Sequence, residues 1–247
     1  MQNFYSKTRL LSNNALKIIG MLAMVLDHVG AILLPNVKLL RIIGRLAFPI
    51  FAFMIAEGAR YTKNKARYLG ILSLFALVIQ LVYSLYDKHA RLCILVTFTF
   101  SVILIYALDY LKKQILKENI NFWLLILSGF LFLGLSIIIY FITRRKFVDY
   151  SFAGVLTPVL VSVFHFDEKV NSKIKKLDNH LVSLFMLAIG LILVYYSMRW
   201  YQLYALLSLP LLFFYSGKRG KYKMKYFFYL FYPIHLLILE GIRLIIK

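Results

Sequence analysis

Composition, the length of the apolar stretches and the placement of charge together point to an all-α bundle of about nine membrane-spanning helices, with eight and ten as the neighbouring counts. Apolar residues fill 62% of the 247 positions and only 10 side chains are acidic, whereas a soluble domain sits near about 45–50% apolar with mixed charge. Nearly uncharged stretches of about twenty residues recur along the chain, the length that crosses a hydrocarbon core of roughly 30 Å. Lys and Arg lie in short runs between those stretches and bring the net charge to +20. That is the positive-inside pattern, not the single basic face that tracks nucleic-acid phosphates. One integral membrane domain over residues 1–247 follows, with the lipid bilayer as its surroundings and no nucleic-acid partner. No cleavable leader is expected, so the first span is retained.

Residues 1–14 read as a polar lead-in with Lys7 and Arg9. The first span covers about 15–34 and is closed by Pro35; the second covers about 39–58, LLRIIGRLAFPIFAFMIAEG. The link from Pro35 to Lys38 permits only a tight antiparallel return, so these two spans lie side by side. After the basic loop Arg60, Lys63, Lys65 and Arg67 come spans at about 68–86 and 92–111, then a loop with Lys112, Lys113 and Lys117. The fifth span, 122–141, has no charge, and the sixth, about 148–164, begins with Asp149 and Tyr150. A charged link occupies 165–179. The 36 residues from His180 to Tyr215 would make one helix of about 54 Å, well beyond the bilayer core. They are expected to form two spans turning at Arg199, with Trp200 and Tyr201 at the interface. A Gly- and Lys-rich loop, 216–225, leads to the last span, Tyr226–Ile246. The basic loops favour a cytoplasmic amino terminus and an extracytoplasmic carboxyl terminus, with Arg144, Arg145 and Lys146 opposing locally.

Charge inside apolar spans is costly, which makes each such residue a functional candidate. Lys17 and His28 are eleven positions apart, close to three helical turns, so they share a face about 16 Å apart along the axis. A neutral imidazole inside protein can accept a proton and act as a general base. Asp27 points about 100° away from His28 on a helix and is expected to pair with Arg45, which lies one turn from Arg41 on the second span. An interhelical polar clamp is the simpler reading of Asp27 and His28. Pro49 removes a backbone hydrogen bond and is expected to kink the second span. Glu57, Arg60, Lys63 and Lys65, with Lys17, form either a basic mouth for phosphates or an ordinary positive-inside anchor. In the last span Tyr226, Tyr229 and Tyr232 recur every three residues, followed by Pro233, His235 and Glu240. His235 fits both a two-histidine proton path and a packed aromatic stripe. Asp149 is the remaining candidate, at the level inferred for Arg45, while Asp109 is close enough to a helix end to be wetted. No zinc, dinucleotide or Walker motif occurs, Cys93 is the single cysteine, and no metal is expected.

The ordered set LKIIGMLAMVLDHVGAI, LLRIIGRLAFPIFAFMIAEGARYTKNKARYL, DYSFAGVL and YFFYLFYPIHLLIL resembles the TraX family of integral membrane proteins over essentially the whole chain. LDHxG and GRLAFPIFAF with the following EG are its most specific parts. The resemblance implies a polytopic inner-membrane protein, the family's named member being an acetylase of a conjugative pilin's amino terminus. It also implies kinship with membrane acyltransferases that use acyl-CoA, which often show Arg or Lys, ten residues, then His; Lys17 and His28 match that spacing. Cys93, ahead of Thr97, stands where the family usually has a polar residue.

On this resemblance the expected activity is acyl transfer from acetyl-CoA to an amine or hydroxyl, with a pilin amino terminus or a small molecule as acceptor. His28 would be the base, with Asp27, Arg45, Asp149 and His235 completing the site. Lys17, Glu57, Arg60, Lys63 and Lys65 would hold the donor. A proton- or ion-coupled transporter and a noncatalytic membrane assembly protein remain the alternatives, because intramembrane Asp, His and Arg also mark ion paths or serve folding alone.

Overall fold

The computed structural model describes residues 10–86, 92–145, 148–166, 172–198, 200–218, 220–221 and 225–246. Lys7, Arg9, Lys146 and the expected turn at Arg199 lie outside the described residues, as do the side chains of Arg145, Trp200, Tyr226 and Tyr229. Among the described residues the structure is 81% helical and has no strands, which makes it the all-α bundle expected.

Helix α1, Asn13–Ile32, starts at Ser12, whose hydroxyl accepts from the Ala15 amide at 3.3 Å. This is an ordinary N-cap, and the helix ends short of Pro35. The second expected span is broken rather than kinked: it forms α2, Lys38–Gly44, and α3, Ala47–Tyr61. Pro49 falls in the first turn of α3, where its missing N–H costs the helix nothing. Helix α4 is Lys65–Tyr86, α5 is Ile94–Ile115 and α6 is Phe122–Arg145.

The sixth expected span is shorter than its apolar run. Helix α7 covers Ser151–Ser162, 12 residues or about 18 Å, too short to cross the core alone. It starts late because Tyr150 and Ser151 take left-handed backbone angles, φ 63° and 55°, which interrupt the winding at roughly 1–2 kcal/mol per residue. A single turn, α8, Ser172–Lys175, lies in the charged link, and α9 covers His180–Met198. The segment expected as the eighth span instead forms a 3-10 helix, Trp200–Leu207, and a short α10, Ser208–Phe213. Pro210 lacks the N–H that would bond the Leu206 carbonyl, and the chain just upstream winds in the tighter form. Helix α11 is Lys225–Ile246.

Five stretches among the described residues are long and apolar enough to cross a membrane: Asn13–Ile32, Lys38–Tyr61, Ile94–Ile115, Phe122–Arg144 and His180–Met198. The chain is a membrane protein on these helices. The count of nine is not confirmed, although α4 and α11, at 22 residues each, reach about 33 Å by length.

Two compact units emerge, residues 1–54 with 199–247 and residues 55–198, divided within α3. In the first, α1 packs on α2 and α11, and Leu16, Ile50, Phe53 and Leu212 are buried. Its two chain segments are stitched by the Leu11 amide on the Phe214 carbonyl and the Asn13 amide on the Lys218 carbonyl, both at 3.0 Å. In the second, α7 lies against α5 and α9, and α5 against α4 and α6, around Leu104, Ile105, Ile139, Val155 and Val159. The Ser101 hydroxyl of α5 donates to the Val155 carbonyl at 2.8 Å, so this buried hydroxyl is satisfied inside the protein, as a bilayer requires. Much of α6 is apolar surface, with Phe130 70% exposed, which suits contact with lipid.

Candidate functional site

The first unit gathers the polar residues of α1, α2 and α11. Asp27 is set between two guanidinium groups. The Arg45 Nη2 donates to Asp27 Oδ1, the pairing the sequence suggested, and Arg41 Nη1 reaches Asp27 Oδ2 at 3.1 Å and the Asp27 carbonyl at 3.2 Å. Arg45 Nε donates to the Arg41 carbonyl at 3.2 Å, so Arg45 is fixed from both ends; its side chain is 7% exposed against 33% for Arg41. Gly44 makes this possible. A Cβ there would fall on the Cβ and backbone Cα of Asp27, so only glycine lets α2 approach α1 at this level.

His28, half-buried one residue on, faces α11. Its ring centroid is 5.0 Å from that of His235, with His28 Nδ1 3.2 Å from His235 Nε2 and 2.8 Å from the Met24 carbonyl. Elementary donor and acceptor rules assign the protons. His235 Nδ1 is 2.9 Å from the Phe231 carbonyl; a carbonyl only accepts, so Nδ1 carries hydrogen and Nε2 of the neutral ring is an acceptor. By the same rule His28 Nδ1 donates, sharing its hydrogen between Met24 and His235. The consequence is that the lone pair of His28 lies on Nε2, oriented by a partner ring that is itself fixed by Phe231, against which it stacks at 13°.

Lys17, near the other end of α1, places its ammonium 5.1 Å from the centre of the Phe228 ring of α11. Lys17 meets Phe228 and His28 meets His235, so α1 and α11 run parallel.

The other expected site residues belong to the second unit. Asp149 lies in the turn before α7, its amide bonded to the Leu92 carbonyl at 3.0 Å and its carbonyl accepting from the Thr97 hydroxyl at 2.8 Å. Arg60 makes a two-pronged contact with Asp178, both bonds 2.7 Å, and Lys65 and Lys112 share Asp109 at 2.8 and 3.0 Å. Glu57 lies on α3 one turn before Tyr61, and Lys63 is exposed in the following loop. Beside the Arg60–Asp178 pair is His165, buried outside the spans, its Nε2 3.3 Å from Ser183 Oγ and its Nδ1 without a hydrogen-bond partner among the described residues. Burial, reinforced by the Arg60 cation, pushes its pKa down to about 4 against the opposing pull of Asp178.

Fold and cluster together define a polytopic membrane protein with an acid, an imidazole pair and two guanidinium groups inside one helical unit. A family model described as TraX protein matches residues 12–243. The chain belongs to the TraX family. It is 27% identical over 252 residues, 94% of its own length and 96% of the relative's, to "Probable fimbrial assembly protein FimC, serogroup H1" of Dichelobacter nodosus. It is also 27% identical over 160 residues, 64% of this chain and 58% of the relative, to an uncharacterised protein of Rickettsia prowazekii (strain Madrid E). No solved structure matches it.

The sequence pointed to Asp27, His28 and Arg45 as neighbours and offered His235 either for a two-histidine path or for an aromatic stripe; the ring lies against His28 and also stacks on Phe231. It missed the second guanidinium on Asp27, the role of Gly44 and the Asp178 partner of Arg60. The paired glycines of LDHxG and IIGR were the available signal for a close helix approach.

Proposed function

We propose that this protein is a membrane acyltransferase that moves the acetyl group of acetyl-CoA to an amine or hydroxyl acceptor. The observation that carries the reading is the His28–His235 pair, which leaves His28 Nε2 as a fixed lone pair inside a membrane protein. The acceptor nitrogen or oxygen attacks the thioester carbonyl while His28 Nε2 takes its proton. The carbonyl carbon then releases the CoA sulfur, which takes up the proton held on His28 Nε2 and leaves as the thiol, and the acetyl group remains on the acceptor. Arg45 and Arg41, bound to Asp27, hold the end of α1 that carries His28. Lys17 is the candidate phosphate anchor, at a distance along α1 of about 16 Å from the base. Arg60 and Lys65 already carry carboxylate partners and would have to exchange them to bind a phosphate; Lys63 and Glu57 are the remaining donor-binding candidates. Asp149 is proposed as a supporting carboxylate. The cytoplasmic amino terminus and extracytoplasmic carboxyl terminus are part of this proposal, supported by the basic loops and by the parallel run of α1 and α11. The name of the Dichelobacter relative supports a fimbrial or pilus substrate as acceptor, and equally a noncatalytic assembly role.

Acetyl-CoA binding and hydrolysis by purified protein in detergent separate the readings. Acyl transfer predicts donor binding that is weakened in Lys17→Ala, and turnover that is lost in His28→Ala while that variant still binds donor. Folded wild-type protein that binds no acetyl-CoA would leave the assembly reading in place, and unchanged turnover in His28→Ala would remove the base assignment.

A further inference from the structure

A second polar feature, remote in the sequence from the histidine pair, lies in the second unit. A cavity of about 390 Å³ opens where the end of α6 meets the start of α7 and the end of α9. Its polar wall is Arg144, Ser151 and Ser197, and its apolar floor is Phe152, Leu156 and Leu193. The Ser151 and Ser197 hydroxyls are 2.6 Å apart. One donates to the other, and the second hydroxyl hydrogen remains to be given to a third group. Ser151 is brought there by the left-handed pair Tyr150 and Ser151. Gly154 is what accommodates that turn, since a Cβ there would strike Tyr150. The Arg144 guanidinium donates to the Tyr140 hydroxyl at 3.2 Å, and among the described residues no carboxylate pairs with it.

The position of this wall decides its ligand. Arg144 is the last residue of the apolar stretch Phe122–Arg144, so it reaches the level of lipid phosphates once that stretch crosses the core. The helix below it is exposed through Leu133, Ile137 and Phe141, leaving bilayer lipid directly beside the cavity. Leu193 of its floor is 40% exposed. A cation and hydroxyl donors above an apolar floor, open to lipid, match an amphiphile with a phosphate head.

We propose that this cavity is a binding site for an anionic phospholipid, whose phosphodiester is held by Arg144 and the Ser151–Ser197 hydroxyls and whose acyl chain lies along Phe152, Leu156 and Leu193. The site is independent of the acyl-transfer reading and shares no residue with it.

The test uses the full-length protein in a mild detergent with a short-chain fluorescent phosphatidylglycerol as probe and the matching phosphatidylcholine as control. Wild type is expected to bind phosphatidylglycerol in preference to phosphatidylcholine. Arg144→Ala weakens that binding by about tenfold, the loss of one charge-assisted contact, and Arg144→Lys falls between. Leu156→Trp blocks the cavity without changing charge and abolishes binding; if that variant does not fold, Leu193→Phe takes its place. Equal binding of the two lipids, or wild-type affinity in Arg144→Ala, would overturn the proposal. Displacement by millimolar inorganic phosphate as effective as by lipid would overturn it too, in favour of a free-anion site.

Discussion

Asp27→Ala is the most informative single perturbation of the α1–α2 cluster. It takes the carboxylate away from the Arg45 guanidinium, whose side chain is 7% exposed, while the Nε bond to the Arg41 carbonyl stays in place. Removing one partner of a buried pair costs about 3–5 kcal/mol, because the other charge is left without compensation. Arg41 adds little, since a side chain 33% exposed can turn to headgroups or water, and such pairs contribute at most about 1 kcal/mol. A loss of about 3 kcal/mol or more is therefore expected from Asp27→Ala. Replacing both partners by apolar residues is a different experiment. Asp27→Leu combined with Arg45→Leu removes charge and countercharge together and should be clearly more stable than Asp27→Ala. Equilibrium unfolding in mixed detergent micelles, read by helical circular dichroism, measures both. A loss below about 1 kcal/mol for Asp27→Ala, or a double variant less stable than the single, would refute the claim that Arg45 is held by burial and by this carboxylate.

Three other outcomes follow from particular contacts. Gly44→Ala should lower stability by about 1–3 kcal/mol, as overpacking does, because α2 must move off Asp27; the same unfolding assay reads it, and a neutral result would contradict the close approach. Thr97→Val removes the hydroxyl that donates to the Asp149 carbonyl and should cost about 1–3 kcal/mol, whereas Thr97→Ser, which keeps the hydroxyl, should keep most of that stability. His165 supplies a pH dependence. Its folded pKa, about 4, lies below the ordinary value near 6.5, so the unfolded chain binds the proton more readily. Its contribution is complete above about pH 6.5 and is lost as pH falls toward 4, a change on the order of 3 kcal/mol. Unfolding midpoints between pH 7 and 4.5 should fall less steeply in His165→Gln than in wild type; parallel curves would exclude His165 as their source.

The sequence was most legible where neighbours along the chain become neighbours in space. Pro35 and the short link after it forced α1 and α2 together, and the charges at Asp27 and Arg45 then had one economical arrangement. The break at Arg45–Leu46 was harder to foresee, because an apolar run ahead of a proline is compatible with a kinked helix or two helices. The left-handed turn at Tyr150–Ser151 and the 3-10 winding before Pro210 shortened two expected spans for a related reason: hydropathy records what can lie in a membrane, not how the backbone winds there. His28 and His235, 207 positions apart, and Arg60 and Asp178, 118 apart, met only through tertiary packing, which no local period encodes.

In the proposed reaction His28 removes the acceptor's proton during acetyl transfer. The most direct test is single-turnover transfer from radiolabelled acetyl-CoA in reconstituted membranes, comparing wild type with a His28→Gln variant shown to be folded and to bind donor equally. Wild type should give labelled acceptor, with a fall of at least about a hundredfold in His28→Gln, the scale of general-base catalysis. Equal labelling by the two proteins would contradict it.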